Sequence, residues 1–151
     1  MKKLPDRLVD SAEANGVKWW WREDVLFSVA CAEACLPVFE IAHPNDKRPR
    51  LAIEAARAWL ANPTDDAICY AVTAGDAARD AANELDKSFT AASAAIAASN
   101  AAEATDTADW ASDWAPIYAA KAGISEPQIL SAFAREVAGT PLEIIVMAEQ
   151  L

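Results

Sequence analysis

Glycine, histidine and positive charge are the scarce commodities of this 151-residue chain, with four glycines, one histidine and 13 Lys+Arg against 23 Asp+Glu. So few glycines leave little provision for the tight turns of a sheet. Alanine, the best helix former, supplies about a quarter of the residues, and no strand pattern stands out. Three cysteines, an odd number, argue against a disulfide framework and for free, buried thiols in a reducing cytoplasm. No unbroken run of eighteen apolar residues occurs, so no membrane span is expected, and residues 1–16 lack the apolar centre of a signal peptide.

Catalytic groups are equally thin. His43 stands before Pro44 in a turn, and there is no glycine-rich phosphate loop, nucleophile elbow or HExxH pattern. Cys31 and Cys35, one helical turn apart, could join Cys69 and His43 as four zinc ligands, but their spacing is not that of a zinc module. A carboxylate dimetal cage built on Glu33 and Glu40 would need histidines in Glu-x-x-His spacing, and none follow. The expectation is a chain with no metal, no cofactor and no enzymatic activity.

What is present is organised around residues 31–59. Read as a helix, residues 22–41 place Leu26, Val29, Glu33, Leu36 and Glu40 within a quarter of the circumference, with Phe27, Cys31, Cys35 and Val38 opposite. A helix apolar on all sides belongs at the centre of a bundle, and Pro37 should bend it. Glu33 and Glu40 on an apolar stripe need cationic partners, and Arg48, Arg50 and Arg57 are the nearest supply. These five residues are expected to form structural ion pairs pinning the next helix onto this one. Asp46 and Thr64 are placed to cap the two helices that follow. Further helices are marked by Ser88, by Asp106 or Thr107, by Ser125 and by the capping box of Thr140 and Glu143. The whole reads as an all-α fold, a single compact domain over residues 1–151 with about seven or eight helices.

Cys31-Ala32-Glu33, Leu36-Pro37, Glu40, Pro44, Asp46, Arg48-Pro49-Arg50, Ala52 and Trp59 together resemble a family of small helical bacterial and phage proteins, the immunity proteins of polymorphic toxin systems. The resemblance covers about thirty residues, and beyond Trp59 the likeness is compositional. It implies a helical fold and a protein-binding role, with Glu33, Glu40, Arg48, Arg50 and Trp59 structural.

Charge distribution points to the surface that would do the binding. Residues 1–59 carry nine acidic and nine basic side chains, whereas residues 60–126 carry eleven and three. Such acidity repels nucleic acid and draws basic partners. Asp76, Asp80 and Glu84 recur every four residues on one predicted helix face, and Asp106, Asp109 and Asp113 on another. These carboxylates are candidates to meet a basic toxin or effector. The alternative site is Trp19-Trp20-Trp21. Three successive indoles cannot share one helix face, so at least one should be exposed and able to anchor a partner or a homodimer. That would suit an accessory or scaffold module, phage-borne or bacterial, with an anti-defence role.

Overall fold

The computed structural model describes residues 2–85 and 89–151, with the side chains of residues 89 and 108–112 outside the description. Helices account for all its regular structure: α1 (Leu4–Ala14), α2 (Trp21–Ala42), α3 (Arg48–Ala61), α4 (Asp65–Asn83), α5 (Phe89–Lys121), α6 (Glu126–Glu136) and α7 (Leu142–Glu149). Thr107, with φ −137° and ψ 61°, breaks α5 in two, so the described residues form eight helical segments and no strand. The expected boundary at Asp106 or Thr107 is therefore real, while the predicted start at Ser88 lies outside the described residues.

α2 is the hub, as its all-round apolar surface requires. Its most extensive interface is with α5, and α3 and α6 also pack on it. Phe27, Val29, Cys31, Cys35, Leu36 and Phe39 are buried on both of its predicted sides. Averaged over eighteen residues its mean hydropathy reaches 1.8, so by length and composition it could cross a membrane, although no uninterrupted apolar run exists. Here 61% of that window is buried against protein. The helix runs through Pro37, which sits exposed, so the missing N–H falls on the outer side.

One expectation is corrected by how α4 packs. The sequence places Ile68, Cys69, Val72, Ala78, Ala82 and Leu85 inward; Ala78 and Ala82 are buried, with Ala71, Gly75 and Ala81 beside them, whereas Ile68, Val72 and Leu85 are half-buried and Cys69 is exposed. The reason is the partner helix. The first half of α5 is lined by buried alanines, Ala91, Ala94, Ala95, Ala98, Ala101 and Ala102 among them, and two small surfaces approach closely. Gly75 marks the contact, because a Cβ there would lie 3.2 Å from the Ala102 Cβ and 3.2 Å from the Ser99 carbonyl oxygen. The predicted capping box of α7 also fails to form. Thr140 Oγ1 donates back to the Val137 carbonyl (2.7 Å), while Glu143 Oε2 accepts from the Gly139 N–H (3.2 Å).

Candidate functional site

The ion pairs are assembled first, since they decide which carboxylates remain available. Glu40 receives Arg50 through two hydrogen bonds, Nε to Oε2 at 2.8 Å and Nη2 to Oε1 at 2.5 Å. That fork holds the Glu40 carboxyl below its ordinary range. Arg57 lies 3.1 Å from Glu33 Oε2 and donates to Glu136, tying α3 to α2 and α6 together. Arg48 goes elsewhere. Its guanidinium bonds Asp46 (Nη2 to Oδ2, 2.7 Å) and Glu84 (Nη1 to Oε1, 2.9 Å; Nη2 to Oε2, 2.6 Å). Asp46 also accepts the Arg48 backbone N–H at 3.1 Å, but from one residue outside the helix: Lys47 is the N-cap of α3 and makes no side-chain cap, so the expected Asp46 cap is not formed. Glu33 and Glu40 are partly buried, their side chains 28% and 22% exposed, and the Glu33 Oε2 atom facing Arg57 is itself enclosed.

With those pairs fixed, the solvent face of α4 emerges as the most uniform charged surface. Thr64 Oγ1 accepts the Ala67 N–H (3.1 Å) and begins the helix, and Asp65 and Asp66 sit in its first turn, where the helix dipole favours negative charge. At 100° per residue Asp65, Asp66, Asp76 and Asp80 fall within roughly a third of the circumference, all exposed, with Cys69 and Thr73 between them and Tyr70 just beyond Asp66 at the edge. Tyr70 is 55% exposed. The one cation of the helix, Arg79, is turned the other way, donating to Glu103 of α5 at 2.6 Å. No lysine or arginine stands on this face. Glu84 departs from the expected row. It follows the last helical residue, and Arg48 both neutralises it and holds its carboxyl below the usual range.

The second predicted acidic row is described only at its two ends. Asp106 and Asp113 are exposed, but the break at Thr107 lies between them and resets the helical phase, while the side chain of Asp109, like that of Trp110, lies outside the described residues.

The three indoles separate by role. Trp19 is half-buried, its Nε1 donating to Asp24 (2.8 Å) and its ring packed against Phe27 and Phe133. Trp21 donates from Nε1 to the Ala104 carbonyl (2.6 Å) and packs on Trp59 at 6.2 Å. That carbonyl belongs to the last turn before the Thr107 break, where helical partners run out. Trp20 is the most exposed of the three, at 66% against 46% for Trp21, with Lys18 Nζ 4.6 Å from its ring centroid. Among the described residues no three His, Cys, Asp or Glu side chains come together as a metal site. Cys31 and Cys35 lie buried inside α2, and Cys69 is exposed on α4.

Asp65, Asp66 and Tyr70 were missed by the sequence reading. The signal for the two aspartates was their place on the same wheel sector as Asp76 and Asp80; assigning Cys69 inward hid it. Comparison with curated proteins finds no match, and comparison with solved structures finds none either. The family model described as Imm-5 like putative immunity protein matches residues 22–140, taking in α2 to α6 with their buried core and the whole of the α4 face. The chain therefore belongs to the Imm-5 like immunity protein family.

Proposed function

We propose that this protein is a non-enzymatic inhibitor, acting in the cytoplasm, that neutralises a basic toxin or effector by docking the outer face of α4 on it. The observation that carries this reading is a helix face with Asp65, Asp66, Asp76 and Asp80 and no cation, flanked at its edge by the exposed Tyr70. Unpaired carboxylates steer a basic partner into place, and an exposed tyrosine supplies contact area that charge alone does not. Membership in an immunity family supports a protein partner. Affinity capture from the native host lysate at low and then high salt tests the proposal, beside a variant carrying Asp76→Lys and Asp80→Lys. A basic protein captured at low salt, released at high salt and lost by the variant is the expected result. A salt-insensitive partner indifferent to the charge reversal would overturn it. It would favour the second reading, an accessory or scaffold module acting through the exposed Trp20, alone or as a homodimer.

A further inference from the structure

Besides the α4 face, the molecule has a cleft of a different character. It opens where the α1–α2 loop (Gly16, Val17, Lys18) and the start of α2 (Arg22, Glu23, Leu26) face the end of α6 (Glu136) and the entry to α7 (Thr140, Pro141, Leu142), and it encloses about 450 Å³. Val17, Leu26, Pro141 and Leu142 make its apolar walls. A shallower depression floored by Trp19 and Trp20 shares Gly16, Val17 and Lys18 with it, so the exposed indole of Trp20 borders the same surface.

Its charges set it apart from the rest of an acidic chain. Both lining carboxylates are engaged: Glu23 Oε2 accepts the Trp20 backbone N–H (2.8 Å), and Glu136 is paired with Arg57. The two cations have no carboxylate among the described residues. Lys18 rests over the Trp20 ring, and Arg22 donates from Nη1 to the Leu60 carbonyl (2.6 Å). That single bond anchors the guanidinium to the end of α3 and leaves its other N–H donors with no acceptor among the described residues. A fork fixed at one tip with the remaining donors open suits a carboxylate.

We infer that this cleft is a second docking site, one that receives a segment of a protein partner carrying an apolar side chain next to an Asp or Glu carboxylate. The apolar side chain enters between Val17, Leu26 and Leu142, and the carboxylate meets Arg22 and Lys18. The inference does not rest on the α4 reading, since the two surfaces share no residue and carry opposite unpaired charge. Together they would let one protein grip a partner by both signs, which favours a single register over sliding.

The test is NMR titration of ¹⁵N-labelled full-length protein with three acetylated, amidated tripeptides: Leu-Phe-Asp, Leu-Phe-Lys and Gly-Gly-Asp. The expected result is shifts centred on Val17, Lys18, Arg22, Leu26 and Leu142 with Leu-Phe-Asp, and binding at least about tenfold weaker for the other two. Lys18→Glu should weaken the first peptide about tenfold without lowering the thermal midpoint, because Lys18 touches only an exposed ring; Arg22→Leu should do the same, with its fold checked by the same melt. Reversing Asp76 and Asp80 to lysine should leave the titration unchanged. Equal binding of Leu-Phe-Lys, shifts elsewhere on the molecule, or no shifts at millimolar peptide would overturn the inference.

Discussion

Single residues here carry information that their neighbours in sequence conceal. The three thiols are alike in composition but not in setting. Burial pushes the Cys31 and Cys35 thiols up, Cys35 to about 12, so neither offers a thiolate at neutral pH. Cys69 is exposed on α4. In native protein one thiol per chain should therefore react with an aromatic disulfide reagent, and three after denaturation; rapid reaction of more than one native thiol would contradict the packing of α2. Asn100 poses the opposite problem. It is buried within α5 with neither amide atom hydrogen-bonded among the described residues. An unpartnered buried amide costs about 1–3 kcal/mol, and asparagine is also a poorer helix former than alanine. Asn100→Ala should raise stability by about 1 kcal/mol in urea unfolding. A loss of stability would mean the amide is engaged in a way the present contacts do not show.

At the scale of elements, the distribution of small side chains decides how helices meet. The α4–α5 crossing is alanine on alanine with Gly75 at its narrowest point. One obstacle is backbone, the Ser99 carbonyl, and the other a Cβ on the same helix, so neither moves unless α5 moves. Gly75→Leu should cost about 2–3 kcal/mol as overpacking at a rigid contact; a urea midpoint unchanged from the parent would show that the two helices can part cheaply. This crossing also explains what the sequence could and could not reveal. α2 was legible because bulky residues surround it and a hub is the only place for such a helix. The Glu40–Arg50 pair was legible because a carboxylate on an apolar stripe demands a partner nearby. The inner face of α4 was legible only in part, at Ala78 and Ala82 but not at Cys69. Hydropathy ranks Ile68 and Val72 above alanine and glycine, whereas close approach selects the smallest side chains whatever their hydropathy, leaving Ile68 and Val72 at the margin and Cys69 outside. Placing Asp106 and Asp113 on one face assumed a single helical phase, and Thr107 interrupts that phase between them.

At the scale of the whole molecule, ion pairs and net charge oppose one another. Arg7 reaches Glu126 and Glu149, joining α1 to α6 and α7; Arg48 joins the start of α3 to the end of α4; Arg79 joins α4 to α5. Against these ties stands a net charge of −10 at pH 7, concentrated in residues 60–126, whose self-repulsion favours expansion. The two contributions part company with salt and with pH. Salt screens long-range repulsion among exposed carboxylates more than it weakens hydrogen-bonded forks, so at pH 7 raising sodium chloride to about 0.5 M should raise the thermal midpoint. Acid acts on the forks. Hydrogen bonds from Arg50 hold Glu40 below its ordinary range, and those from Arg48 do the same for Asp46 and Glu84. Because the folded-state values are depressed, the unfolded chain binds protons first as pH falls. The stability these groups contribute is complete above the unfolded values, near about 4, and disappears as pH drops through the folded ones. The thermal midpoint should accordingly hold between about pH 7 and 5 and fall between about pH 4.5 and 3. Arg48→Met with Arg50→Met removes the shared partners of all three carboxylates and should lower the plateau while making the acid limb shallower. If the double variant instead loses the same number of degrees on acidification as the parent, Glu40, Asp46 and Glu84 do not set the acid limb and their ion pairs add nothing to the pH dependence of stability.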